Sequence, residues 1–159
     1  MAVNPTGSRL YVANYTASTV SVIDTDADTV IRSPITFGFL PFCVAVTPGA
    51  SRVYVTNTLS NTVSVIDTSI NAVVDSPIPV GLVPAGVAVN PAGSHVYVTH
   101  YDPDPVHGYY KVSVIDAASN MVVATIPVGD APIGVAVAPD ARRVYVANSA
   151  SNSVSVIDT

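Results

Sequence analysis

Four near-copies of one phrase run through this chain: RLYVANYTASTVSVIDT at 9–25, RVYVTNTLSNTVSVIDT at 52–68, HVYVTHYDPDPVHGYYKVSVIDA at 95–117 and RVYVANSASNSVSVIDT at 143–159. Tyr11, Tyr54 and Tyr97 are spaced by 43 residues, and Tyr145 follows 48 further on. A unit of this length cannot bury its own apolar face, so it is stable only when stacked against others like it. The fold is therefore an array of one repeated element, and the residues inside the repeat say which element.

Valine supplies 31 of the 159 residues, Trp, Glu and Gln are absent, and Lys111 is the sole lysine. β-Branched side chains suit a packed pleated surface, and no window carries a helical period. The chain is all-β. Aligned, the copies give a four-strand unit. Its first strand is Val44–Val46, Val87–Val89 or Val135–Val137, with Ala2-Val3 as a clipped version. A proline turn follows each (Asn4-Pro5-Thr6-Gly7, Thr47-Pro48-Gly49-Ala50, Asn90-Pro91-Ala92-Gly93, Ala138-Pro139-Asp140-Ala141). The Tyr-Val segment is the second strand and Val-Ser-Val-Ile-Asp the third. A fourth runs over 30–37, 73–80 or 122–128, before a Gly/Pro link at 38–43, 81–86 or 129–134.

Near-continuous apolar strands suit a sheet covered on both faces. A first strand of Val and Ala suits convergence on an axis, and the tyrosines one strand further out suit the space where sheets diverge. These features predict a β-propeller of four-stranded antiparallel blades in a single 1–159 domain, with blades at about 2–37, 42–80, 85–128 and 133–159. Three blades are complete and the last lacks its outer strand, fifteen strands in all.

Tyr54-Val55-Thr56-Asn57 matches the tetrapeptide that names the YVTN repeat propellers. Tyr11-Val12-Ala13-Asn14 and Tyr145-Val146-Ala147-Asn148 differ by one letter, and Tyr97-Val98-Thr99-His100 replaces the asparagine. The chain resembles that family along essentially its whole length. The resemblance implies a propeller of about seven blades, of a kind found in surface or exported proteins, and hence an extracytoplasmic or cell-surface setting. It implies no chemistry, because propellers host many unrelated functions.

Four blades are about half of such a ring, and an open half would expose apolar blade faces. A homodimer closing a ring of about eight blades is the expected assembly, with a closed four-bladed monomer as its competitor. The start within a repeat also suits a truncated or engineered half-propeller with no function beyond assembly.

The net charge of −5 lacks the clustered Lys and Arg that a nucleic-acid surface needs, Arg142-Arg143 being the one adjacent pair. No apolar run approaches a membrane span, and no signal peptide precedes Ala2. Cys43 stands alone, where Gly86 and Gly134 stand in other repeats, so it forms no intrachain disulfide and packs as a small hydrophobe.

One segment breaks the repetition: Tyr101–Tyr110 adds six residues between the second and third strands of blade 3. His100, Tyr101, Asp102, Asp104, His107, Tyr109 and Tyr110 form the candidate binding loop, suited to a protein or glycan partner. A metal at His100, Asp102, Asp104 and His107 matches no established loop spacing. Asn14, Asn57 and Asn148, and Asp24, Asp67, Asp116 and Asp158, are expected as turn caps, and Ser21, Ser64, Ser113 and Ser155 as small packing residues. No G-x-S-x-G elbow, H-E-x-x-H pair or phosphate loop is present. The expectation is a non-catalytic scaffold or interaction module without cofactor. A lactonase-like hydrolase or metal-binding propeller using 100–110 is the alternative.

Overall fold

The computed structural model describes residues 1–31, 33–36, 40–101 and 110–159. Among the described residues every regular element is a strand, and the strands form four antiparallel sheets. Blade 1 holds β1 (Ala2–Val3), β2 (Arg9–Asn14), β3 (Thr19–Asp24), β4 (Thr29–Val30) and β5 (Ile35–Thr36). Blade 2 holds β6 (Pro41–Val46), β7 (Arg52–Asn57), β8 (Thr62–Asp67) and β9 (Ala72–Pro79). Blade 3 holds β10 (Pro84–Val89), β11 (His95–His100), β12 (Lys111–Asp116) and β13 (Met121–Pro127). Blade 4 is the three-stranded sheet β14 (Pro132–Val137), β15 (Arg143–Asn148) and β16 (Ser153–Asp158).

Two details differ from the sequence reading. The outer strand of blade 1 pairs with β3 as two short pieces, Val30 opposite Ile23 and Ile35 opposite Val20, which makes sixteen strands. Pro34, with no N–H to donate, lies between the pieces. The first strands also begin earlier, at Pro41, Pro84 and Pro132, so much of each expected link is already sheet. A bulge after each of these prolines breaks the ladder and hid that start from a simple alternation pattern.

The turn after each first strand closes with a bond from the fourth residue's N–H to the first residue's carbonyl, as in Gly93 to Asn90 at 2.9 Å. That fourth residue has positive φ in all copies: 77° at Gly7, 55° at Ala50, 72° at Gly93 and 59° at Ala141. A turn followed by one left-handed residue matches the twist of a hairpin, and two of the four blades make it without glycine.

Blades stack by one rule. Tyr11, Val20 and Val22 of blade 1 pack on Val44, Val53, Val55 and Ile66 of blade 2. Tyr54, Val63 and Val65 pack on Val87, Val96, Val98 and Ile115 of blade 3. Tyr97, Val112 and Val114 pack on Val144, Val146 and Ile157 of blade 4. Each blade thus has a front of Tyr-Val-Val and a back of Val and Ile.

Polar bolts fix the same junctions. Thr56 Oγ1 accepts the Cys43 N–H at 3.0 Å and donates to the Ala85 carbonyl of the next blade at 2.7 Å. Thr99 repeats this, accepting from Gly86 N–H at 2.8 Å and donating to the Ile133 carbonyl at 2.9 Å. A Cβ on Gly86 would lie 2.1 Å from that Ile133 oxygen, so the close approach of the blades there requires glycine. On the opposite end of the blades, Arg9 Nη1 donates to the Thr68 carbonyl and Arg52 Nη1 to the Ala117 carbonyl, both at 2.9 Å.

Candidate functional site

The insertion springs from the end of the blades where β7 and β11 finish and the links cross. Asp102, Asp104, His107 and Tyr109 lie outside the described residues, so His100, Tyr101 and Tyr110 are the candidates the structure places. Each has different surroundings. Tyr101 is partly exposed at the mouth of the axis, Tyr110 sits at the start of β12, and His100 is sealed inside blade 3 at 1% exposure.

His100 ends β11, and its ring uses both nitrogens. A carbonyl can only accept, so Nδ1 carries the proton and donates to Leu82 O at 3.2 Å, leaving Nε2 to accept the Ser113 hydroxyl at 2.8 Å. Burial pulls its pKa down to about 4, because the charged ring would lose its hydration. The Leu82 carbonyl pulls the other way by stabilising the charged ring, and the smaller effects of Lys111 downward and the Gly81 backbone upward follow. A Cβ on Gly81 would meet Lys111 Cε at 2.7 Å and His100 Nδ1 at 3.0 Å, so this glycine lets the link close over the ring.

The other blades explain what His100 is doing. Asn14 Nδ2 donates to Thr19 and Ser21, Asn57 Nδ2 to Thr62 and Ser64, and Asn148 Nδ2 to Ser153 and Ser155. These asparagines are therefore clamps between the second and third strands, not the turn caps the sequence suggested. The mid-strand serines are their acceptors. Asn57 Oδ1 and Asn148 Oδ1 are buried without a partner, whereas His100 satisfies both ends of its ring. A Ser113 hydroxyl on a histidine nitrogen has the geometry of a nucleophile and base. Both residues are buried, however, and the pair occupies the structural clamp position of every other blade. Three of the four aspartates do cap turns, Asp24 accepting from the Asp26 and Ala27 N–H groups, Asp67 from Ser69 and Asp116 from Ser119, while Asp158 faces Arg143.

Around the axis on the same end lies a hollow of about 290 Å³ lined by Tyr15, Phe42, Thr58, Val83, Ala85, Tyr101 and Ile133. Tyr15 meets Phe42 edge-on, with ring centroids 6.2 Å apart. Val83 has φ of 49°, and Leu40 and Ala131 hold the same backbone form in the other links. A β-branched residue in that region is strained, and the structure keeps it to turn each link into its first strand. Of this lining, Tyr101 belongs to the candidate loop, and Phe42, Val83, Ala85 and Ile133 to the links at 38–43, 81–86 and 129–134 that the sequence reading placed on the same binding face, while Tyr15 and Thr58 were not picked out. The missed signal was divergence within the repeat. Phe42, Ala85 and Ile133 occupy one slot with three different side chains, and Tyr15, Thr58 and Tyr101 share another with two, while the prolines at 41, 84 and 132 before the first slot do not change. Among the described residues no group of His, Cys, Asp or Glu is arranged to hold a metal ion, and no helix is long and apolar enough to cross a membrane.

The last feature is the open ends of the arc. Tyr54, Val63 and Val65 are at most 1% exposed, whereas their counterparts Tyr145, Val154 and Val156 are 40%, 61% and 53% exposed. At the other end Leu10, Val12 and Ile23, the counterparts of buried Val53, Val55 and Ile66, are half-buried. A closed four-bladed ring would cover both sets, so the four blades form an open arc.

No family model and no curated protein matches this chain. Among solved structures it is similar to hydrazine synthase from Kuenenia stuttgartiensis, with a TM-score of 0.88 and 28% identity over 98% of this chain and 44% of that one. It is also similar to a candidate 6-phosphogluconolactonase from Bacteroides uniformis (TM-score 0.83, 14% identity, 99% of this chain and 49% of that one). A protein of unknown function from Desulfotomaculum acetoxidans gives a TM-score of 0.80 at 20% identity, over 94% and 49% of the two chains. The chain thus spans less than half the length of each of these propeller-like structures.

Proposed function

We propose that this chain is a non-catalytic β-propeller module that works by association, through its open blade faces and the apolar mouth of its axis. The observation that carries this reading is the Tyr145, Val154 and Val156 face. It repeats, letter for letter, the set that is buried at the junction of blades 2 and 3, yet nothing covers it here. A surface built to the pattern of an interior is a surface suited to take a further blade of the same kind. The tyrosine and phenylalanine mouth adds a second contact area, suited to an uncharged protein or glycan surface. A non-catalytic role is supported by His100, whose two ring nitrogens are already committed to Leu82 and Ser113. The repeat's likeness to surface-protein propellers supports an extracytoplasmic setting as part of the same proposal.

Absolute mass by light scattering across a concentration series tests the reading. A species at twice the 16.3 kDa of one chain, growing with concentration, is the expected result. A 16.3 kDa species at every concentration would overturn it.

A further inference from the structure

Two hydrogen bonds and one pair of facing residues between blades 2 and 3 can be followed, position by position, to the open ends. Arg52 donates to the Ala117 carbonyl, and the Tyr54 hydroxyl donates to Asn120 Oδ1 at 3.3 Å. Ser51 and Ala118 line the same groove between these blades. On the open front of blade 4 the corresponding residues are Arg142 for Ser51, Arg143 for Arg52 and Tyr145 for Tyr54. On the hairpin of blade 1 they are Thr25 for Ala117, Asp26 for Ala118 and Asp28 for Asn120.

The substitutions are complementary. Where the internal junction sets serine beside alanine, the open ends offer Arg142 and Asp26. Where tyrosine meets asparagine, they offer Tyr145 and Asp28. Blade 2 and blade 3 carry Ser69-Ile70-Asn71 and Ala118-Ser119-Asn120 in this hairpin, so the two-acid version belongs to blade 1 alone. The one Arg-Arg pair of the chain likewise belongs to blade 4 alone. Both sets are solvent-exposed. Arg143 lies 3.3 Å from Asp158 of its own blade.

We propose that blade 4 of one copy takes blade 1 of a second copy, head to tail. Tyr145, Val154 and Val156 then cover Leu10, Val12 and Ile23 of the second copy. Arg143 turns from Asp158 to the second copy's Thr25 carbonyl, Arg142 pairs with its Asp26, and the Tyr145 hydroxyl donates to its Asp28. The apolar contact continues the rule of the internal junctions, and the charges select this pairing over blade 4 on blade 4, which would oppose arginine to arginine. Two such junctions related by a two-fold axis close the arc. This inference rests on association through the blade faces and adds which face meets which.

Charge exchange tests it. In one variant Asp26→Arg and Asp28→Arg make blade 1 basic, and in the other Arg142→Asp and Arg143→Asp make blade 4 acidic. All four sites are exposed, so the fold is kept. Each variant alone opposes like charges at both junctions, and sedimentation should show self-association weakened about tenfold or more. Mixed in equal amounts, the two variants restore opposite charges at both junctions, and the dimer returns. Association of the unaltered chain should also weaken between low and high salt. If the unaltered chain never associates, the wider reading of blade-face assembly fails and this one with it. If the unaltered chain associates but either variant alone does so equally well, or the mixture brings no recovery, the head-to-tail pairing is wrong while the wider reading stands.

Discussion

The front of blade 2 and the front of blade 4 are written in the same letters and live in different environments. Tyr54, Val63 and Val65 are covered by the next blade, while Tyr145, Val154 and Val156 meet solvent. The polar fittings differ in parallel. Thr56 bolts blade 2 to the Ala85 carbonyl, whereas blade 4 has Ala147 at that position and Arg143 folded back on Asp158. A repeat therefore specifies a blade but not its burial. Whether a valine is core or surface depends on what stands beside it.

The sharpest way to separate the two regions is one substitution made twice. Val65→Asp places a carboxylate in a dry inter-blade core, with a cost of about 4 kcal/mol or more, enough to unfold the chain. Val156→Asp occupies the corresponding slot in the open face and should leave chemical denaturation of the single chain within about 0.5 kcal/mol of its original value, while suppressing association. Equal destabilisation by both would mean that blade 4 is covered within its own chain.

His100 against the asparagine clamps gives the next effect. Its folded pKa of about 4 lies below the ordinary 6.5, so the unfolded chain takes up the proton first as pH falls. Stability from this site is complete above pH 6.5, declines through the interval down to about 4 and is level below that, a loss of about 3 kcal/mol at most. Denaturant midpoints measured from pH 7 to pH 4 should show this slope, and His100→Asn should remove it. An unchanged slope in that variant would assign it to other groups.

The smallest effect tests the threonine bolt. Thr56→Val keeps the shape but leaves the Ala85 carbonyl and Cys43 N–H short of a partner, at a cost of about 1–2 kcal/mol. Ala147→Thr in blade 4 should be near neutral in the isolated chain, since no following blade presents a carbonyl to it. A comparable change in melting temperature from both would deny the bolt its inter-blade role.

Much of the architecture was legible in the repeat. The Val-Ala-Val, Tyr-Val and Val-Ser-Val-Ile-Asp segments became the first three strands of each blade, and Asp24, Asp67 and Asp116 became turn caps, because strand period and short-range side-chain bonds are local properties. The early start of the first strands escaped notice because a bulge shifts the register after each proline. The asparagines were misread for a different reason. A residue at the end of a strand looks like a cap until the partner strand is placed, and only then do Ser64 and Thr62 appear beneath Asn57. Among the described residues of the candidate loop, His100 proved to be such a clamp, and Tyr101 reached the axial mouth.

The sequence by itself determined the blade, its number of copies and the side chains that each blade offers on its front and back. Repetition at fixed spacing with β-branched residues leaves no other economical way to bury the apolar faces. The tertiary structure decided which of those identical faces are buried, that the arc stays open, that His100 is neutral and that Tyr15, Phe42, Tyr101 and Ile133 meet around one hollow. Those properties arise between blades, where exposure and hydration depend on residues some forty positions away or on none at all.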